Sequence, residues 1–225
     1  MIIDCISDLH GFYPELEGGD LLILAGDYTD NDRVPSWCSL FEWLSRQQYR
    51  KKVLIGGNHD NFLTQCIPTE EARQLIGMDA DDFEYLCDSG TEFAGLKVWG
   101  SPWTRTFPGI NPNCKAFTFD LEIQMREKFA LIPEDTDILI THSPPYGILD
   151  GVSDYMGVRH CGSTSLEYRL GQVLPRLHVF GHIHEHGGKQ ENYWDNGSYT
   201  TVCVNASIMD RVYDPVHKPV RIVLP

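Results

Sequence analysis

Five times along this chain a short apolar run stops abruptly at a cluster of acidic, amide or imidazole side chains. No other feature restricts the fold as much. Residues 1–7 lead into Asp8 and His10, and Leu21-Leu22-Ile23-Leu24-Ala25 leads into Gly26-Asp27-Tyr28-Thr29-Asp30. Val53-Leu54-Ile55 leads into Gly56-Gly57-Asn58-His59-Asp60. Residues 137–140 lead into Thr141-His142, and Leu177-His178-Val179-Phe180 into Gly181-His182-Ile183-His184. Apolar runs this short read as buried strands. Polar clusters at the same end of successive strands are the arrangement of an α/β sheet whose chemistry gathers at its carboxyl ends.

Between the second and third runs, Trp37, Leu40, Phe41 and Leu44 recur at helical spacing, so residues 35–48 are expected to form a crossover helix. Further helices are expected over residues 68–76, 163–174 and 120–131, the last with Leu121, Met125, Lys128 and Phe129 along one face. Short strands are expected within residues 83–100, around a turn at Gly95, and in the tail at 198–204 and 220–224. Residues 100–109 open a long loop with aromatics and Arg105, a length that in compact domains goes with function or mobility. No repeat or linker interrupts the pattern, so residues 1–225 are expected to be one domain.

Composition excludes several classes. No apolar run approaches the ~20 residues needed to span a bilayer, and the start, MIIDCISDLH, has no basic n-region. A cytoplasmic protein without membrane contact is expected. With 18 Lys+Arg against 32 Asp+Glu, the net charge of −14 leaves little from which to build a face for long nucleic acid. Part of that acidity is what a cation site needs before its ions arrive. The seven cysteines are scattered and never spaced C-x-x-C, which argues for reduced, mostly core thiols. Asn196-Gly197-Ser198 and Asn205-Ala206-Ser207 fit the glycosylation pattern but read as chance matches without a secretory signal.

Together the five strand ends present carboxylates, an amide oxygen and imidazoles, and no thiolate. This donor set suits Mn²⁺, Fe²⁺, Co²⁺, Ni²⁺ or a catalytic Zn²⁺ better than a structural zinc. The seven ligands are too many for one ion that must keep water, and sufficient for two ions sharing a carboxylate. Asp60 is expected to buttress its turn, and His178, on an apolar strand, to be a core histidine.

The motifs S-D-L-H, G-D-x-x-D, G-N-H-D, T-H-x-P-P and G-H-x-H, in this order, resemble those of the calcineurin-like dinuclear metallophosphoesterases. The likeness is nearest to the metallophosphoesterase-domain group of small phosphodiesterases, which also show G-S-P-W, L-I-P-E and N-A-S, present here at Gly100, Leu131 and Asn205. The resemblance implies a four-layer α/β-β/α sandwich, two mixed β-sheets flanked by helices with the metals at the strand ends. Carried over by motif, one metal takes Asp8, His10 and His184, a second takes Asn58, His142 and His182, and Asp27 bridges. It further implies a bridging hydroxide nucleophile, His59 as general acid and Asp30 holding its imidazole. The two ions are expected to be divalent, with Mn²⁺ favoured.

The implied reaction is hydrolysis of a small phosphodiester, cyclic nucleotides included, with the oligomeric state left open, a homodimer included. Substrate contacts are expected from Asn58 and His59, from Trp103 and Tyr146 as stacking surfaces beside Tyr28 and Phe107, and from Arg105 and Arg159, the last with His160 as its alternative. Two other readings stay open. A protein phosphatase or other phosphomonoesterase of the same superfamily is disfavoured because Asp30 is followed by Asn31-Asp32-Arg33 and not by Arg-Gly. A non-catalytic metal-binding scaffold is disfavoured because both histidines of G-H-x-H and His59 are present.

Overall fold

The computed structural model describes residues 1–66, 83–106, 114–195 and 198–225; strands are numbered in chain order. In the first sheet β1 (Ile2–Ile6) lies between β15 (Val220–Val223) and β2 (Gly19–Leu24), with β3 (Tyr49–Leu54) and β4 (Phe83–Tyr85) continuing beyond β2. β15 is antiparallel to β1, and the other neighbours are parallel. The second sheet has β6 (Leu96–Ser101), β9 (Ile138–Thr141), β12 (Leu177–Phe180) and β14 (Ser198–Asn205) as parallel neighbours. Its outer strands, β5 (Ser89–Phe93) and β13 (Lys189–Asp195), are antiparallel to β6 and β14. Both sheets are therefore mixed.

Strand periodicity assigns the layers, because alternate side chains leave opposite faces. Ile3, Cys5, Leu21, Ile23 and Val53 meet Val98, Ile138, Ile140, Leu177, Val179 and Val204 in a core between the two sheets. The alternate residues Ile6, Leu22, Leu24 and Leu54 face outward onto the helix Val34–Ser45, through Trp37, Leu40, Phe41 and Leu44. On the far side Leu139, Phe180 and Cys203 pack against the helices Glu122–Phe129 and Thr164–Val173. The result is helix, sheet, sheet, helix. The sheets are tied at their carboxyl ends, where Ser7 N–H donates to Ala206 O at 2.8 Å.

Some expectations need correction. Leu121 precedes its helix and is exposed, so Met125 and Phe129 alone make the buried face; Lys128 instead lies over the Trp103 ring and pairs with Asp88 at 2.9 Å. Residues 100–106 are not plain loop, because β6 ends at Ser101 and β7 (Thr104–Arg105) pairs with β8 (Thr118–Phe119). β13 and the hairpin β10 (Gly151–Asp154) with β11 (Gly157–His160) were not expected from the sequence. β11 is exposed along its whole length, so no apolar alternation marks it. The expected helix over 68–76, with Phe107 and Asn196, falls outside the described residues.

The cysteines are less buried than expected: Cys5 and Cys203 are in the core, but Cys38 and Cys87 are exposed and Cys114 and Cys161 half-buried. Asn205 is fully buried, its amide donating to Leu149 O and Ile183 O, which rules it out as a glycan acceptor.

Trp37 anchors the outer helix. It is fully buried, stacks on Phe41 and Phe62 and donates its indole N–H to Asp32 at 3.0 Å. Trp37→Ala should lower unfolding free energy by about 3–5 kcal/mol, the usual cost of deleting a buried aromatic, read from the denaturant midpoint at constant m-value.

Candidate metal centre

The polar clusters converge because the backbone turns sharply as each strand ends. Asp8, His10, Asp27 and His182 all have positive φ, between 42° and 68°, in the left-handed region that non-glycine residues avoid. Such conformations cost free energy and persist where the surroundings enforce them, characteristically at functional sites. Here the enforcement is visible. Asp8 N–H donates to Gly26 O at 2.9 Å, His10 N–H to Asp27 O at 3.1 Å, and His182 N–H to the Asp8 carboxylate at 3.0 Å.

Asp60 fixes the central turn. Its buried carboxylate accepts from Gly57 N–H at 2.7 Å, Asp27 N–H at 2.8 Å and Tyr28 N–H at 3.1 Å. Burial and the Asp27 charge push its carboxyl well above the usual range, against those three donors. Asp27 in turn accepts from His59 N–H at 2.8 Å. Glycine is required beside it: a Cβ on Gly57 would lie 2.3 Å from Asp27 Oδ1 and 2.8 Å from the His142 ring.

Three groups of potential ligands arise from these turns, each with its donor atoms within 4.8 Å of one another: Asp8, His10 and His184; Asp8, Asp27 and His142; and His10, Asp27 and His59. Asp27 is central, its Oδ2 lying 3.3 Å from His142 Nε2 and 3.9 Å from both His10 Nε2 and His59 Nε2. Asn58 Oδ1 is 3.0 Å from His142 Nε2, and the His142 and His182 rings are 5.0 Å apart. A carbonyl oxygen only accepts, so His142 donates Nδ1–H to Ala25 O at 2.7 Å and His184 donates Nδ1–H to Asp210 O at 2.9 Å. Both rings thereby turn Nε2 inward, the second-sphere arrangement of metal-binding imidazoles.

The electrostatics fit cations at this place. Burial alone would depress His142, yet the Asp27 and Asp8 carboxylates hold it up at about 9. His184 is likewise raised, against its burial, by Asp8. Burial opposes ionisation of Asp8 and Asp27, but the histidines keep both below the usual carboxylate range. Burial lowers His10 to about 4, and its buried Nε2 has no hydrogen-bond partner among the described residues. An orphaned imidazole nitrogen beside two buried carboxylates is the donor set a divalent ion satisfies.

These residues open onto a cleft of about 260 Å³ lined by Asp27, Asn58, His59, His182 and His184 on its inner side. Of the expected substrate contacts, Asn58, His59 and Arg105 line it. Trp103, Tyr146 and Arg159 do not. The Trp103 indole N–H is spent on Asp88 and its ring stacks on Phe119 at 4.7 Å. Tyr146 leans on His160, and Arg159 is exposed on β11. His160 pairs with buried Asp150 at 2.6 Å, which holds the loop. Tyr28 is core, its hydroxyl donating to Leu24 O and Ile55 O. His178 is core as well: burial lowers it to about 3, and its Nε2 meets Thr141 Oγ1 at 2.9 Å.

Asp30 is the main correction. It makes no hydrogen bond or ion pair to His59 among the described residues, because its carboxylate accepts from Ser36 Oγ at 2.8 Å and Asn31 Nδ2 at 3.2 Å. Instead Cys114 Sγ lies 3.3 Å from His59 Nδ1. The cleft also recruits Glu185, Arg211 and Tyr213, which the sequence did not mark. Tyr213 stands edge-on to His10 at 4.7 Å and to His184 at 5.1 Å. Both Arg211 and Tyr213 come from a loop after the last motif, so no spacing rule could have found them.

Asp60→Ala would leave three buried N–H groups without an acceptor, each costing about 1–3 kcal/mol. A stability loss of about 3 kcal/mol or more is expected, together with lower bound metal by elemental analysis.

Comparison with known proteins agrees with this geometry. The Metallophos model, described as calcineurin-like phosphoesterase, matches residues 1–186. Metallophosphoesterase domain-containing protein 1 of Homo sapiens is 36% identical over 241 residues, covering 98% of this chain and 70% of that protein, and the Mus musculus protein gives the same figures. Among solved structures, TT1561 of Thermus thermophilus superposes with a TM-score of 0.56 at 16% identity, covering 92% of this chain and 90% of that one. Another solved chain reaches 0.67 at 13% identity, covering 91% and 89%. These two likenesses speak for the fold. By the family match and the relatives' identity over nearly its whole length, this chain belongs to the calcineurin-like phosphoesterase family.

Proposed function

We propose that this chain hydrolyses small phosphodiesters, cyclic nucleotides among them, with two divalent ions, Mn²⁺ first and Fe²⁺, Zn²⁺, Co²⁺ or Ni²⁺ as alternatives. The observation that carries this reading is the position of Asp27, whose Oδ2 is within 4 Å of His10 on one side and His142 on the other. Asp8, His10 and His184 would hold one ion, Asn58, His142 and His182 the other, and Asp27 would reach both. When bound, such a pair supplies Lewis-acid charge to a phosphoryl group and acidifies water.

The protein's own groups do the rest. Ala25 O and Asp210 O fix the His142 and His184 rings, so little reorganisation is needed on loading. His59, in the cleft wall and half-buried, would protonate the leaving oxygen as its bond to phosphorus breaks. Arg105 and Arg211 bring positive charge to the cleft of a chain whose net charge is −14, and would meet the anionic diester. Glu122, 3.5 Å from Arg105, keeps that guanidinium near the wall. The modest cleft volume favours a small substrate over a polymer.

Activity of the Mn²⁺-loaded protein should disappear on chelation and return on adding Mn²⁺ back, with diesters turned over faster than the matching monoesters. A fully loaded protein that turns over monoesters but no diester would sink the proposal. His59→Ala should retain both ions and lose roughly 10²-fold or more in kcat on diesters with poor leaving groups, the range typical of general-acid catalysis.

A further inference from the structure

We propose that Cys114 is the positioning residue of His59, its thiol holding Nδ1 so that Nε2 stays turned toward the cleft. The inference rests on the reading of His59 as the acid and assigns it a partner other than the carboxylate expected at Asp30.

The contact is direct, with Sγ 3.3 Å from Nδ1, while Nε2 of the same ring lies 3.9 Å from Asp27 Oδ2. Cys114 is held to this place by its own segment. Ala116 N–H donates to Asn58 O at 3.2 Å, Thr104 N–H donates to Phe117 O at 3.0 Å, and the Phe117 ring packs so closely on Gly56 that a Cβ there would meet it at 2.3 Å. The thiol is thus carried on backbone that is bonded to the Gly56–Asp60 turn itself. It lines the cleft beside Asn58 and His59, so it shares the wall with the group it orients.

A thiol suits this position because it both donates and accepts. In the imidazolium, Nδ1–H donates to Sγ and Nε2–H faces the leaving oxygen. As a hydroxide oxygen bonds to phosphorus and the phosphorus–oxygen bond to the leaving group breaks, the electron pair of the broken bond goes to the leaving oxygen, which takes the Nε2 proton; the neutral ring keeps Nδ1–H and the same bond to sulfur. In the other neutral tautomer the S–H turns and donates to Nδ1. A carboxylate there could only accept.

The test uses the metal-loaded 225-residue chain and a series of methyl aryl phosphodiesters whose leaving groups run from 4-nitrophenol, a good one, to phenol, a poor one. Good leaving groups need little protonation, so loss of positioning should grow with leaving-group pKa. Cys114→Ala is expected to lose about tenfold in kcat on the phenyl diester and about twofold on the 4-nitrophenyl diester, a fraction of the roughly 10²–10⁴-fold of acid catalysis. KM and bound metal should stay as in wild type. Cys114→Ser, which keeps a donor and an acceptor, should restore most of the loss. His59→Ala should steepen the same leaving-group dependence further. A loss of equal size across the series, or none, in Cys114→Ala would overturn the inference. If His59→Ala steepens the series and Cys114→Ala does not, only the role of Cys114 falls. If His59→Ala leaves the slope unchanged, the acid assignment falls and takes that role with it.

Discussion

The carboxylate of Asp60 organises the site more than any candidate ligand does. By accepting N–H from Gly57, Asp27 and Tyr28 it ties the end of β2 to the end of β3, with both turns bent around one buried carboxyl group. Asp27 can then accept from His59 N–H and present its other oxygen to His10 and His142. A short polar residue that satisfies three buried donors is strongly constrained, because each donor would otherwise carry the full cost of desolvation.

Around that clamp the protein accumulates features that are unfavourable alone. Four candidate ligands have left-handed backbone, two buried carboxylates lie close together, and His10 keeps an orphaned nitrogen. Packing elsewhere holds them in place, with three apolar cores supporting the two sheets whose ends converge here. Divalent charge would offset the carboxylates and engage the nitrogen, so the centre reads as strained without cations and balanced with them.

Much of this was legible in the sequence. Apolar runs such as Leu21–Ala25 and Leu177–Phe180 marked strands because central parallel strands are apolar on both faces, and Trp37, Leu40, Phe41 and Leu44 marked a helix by their spacing. The motif residues could be nominated because each follows directly on a strand. Asp60 could be suspected as a buttress from its place in a glycine-led turn. The exposed strand β11 left no pattern, since a strand without a buried face has no hydrophobic period. Trp103, aromatic and in a loop, looked available for stacking, but tertiary packing had already used both its face and its N–H.

The sequence by itself determined the α/β class, the strand ends as the place of chemistry and the chemical types of the donors, because all of these follow from local periodicity and from what sits next to it in the chain; the two-sheet sandwich was implied only by the motif resemblance. Only the tertiary structure decided which side chains meet. It brought Asp27 within reach of His142, distant in sequence, and placed Arg211 and Tyr213 of the C-terminal loop in the cleft lining. It also gave His59 the thiol of Cys114 in place of the carboxylate of Asp30. The reason is physical. Contacts across layers depend on where two turns end in space, which strand pairing and core packing set together and no local spacing encodes.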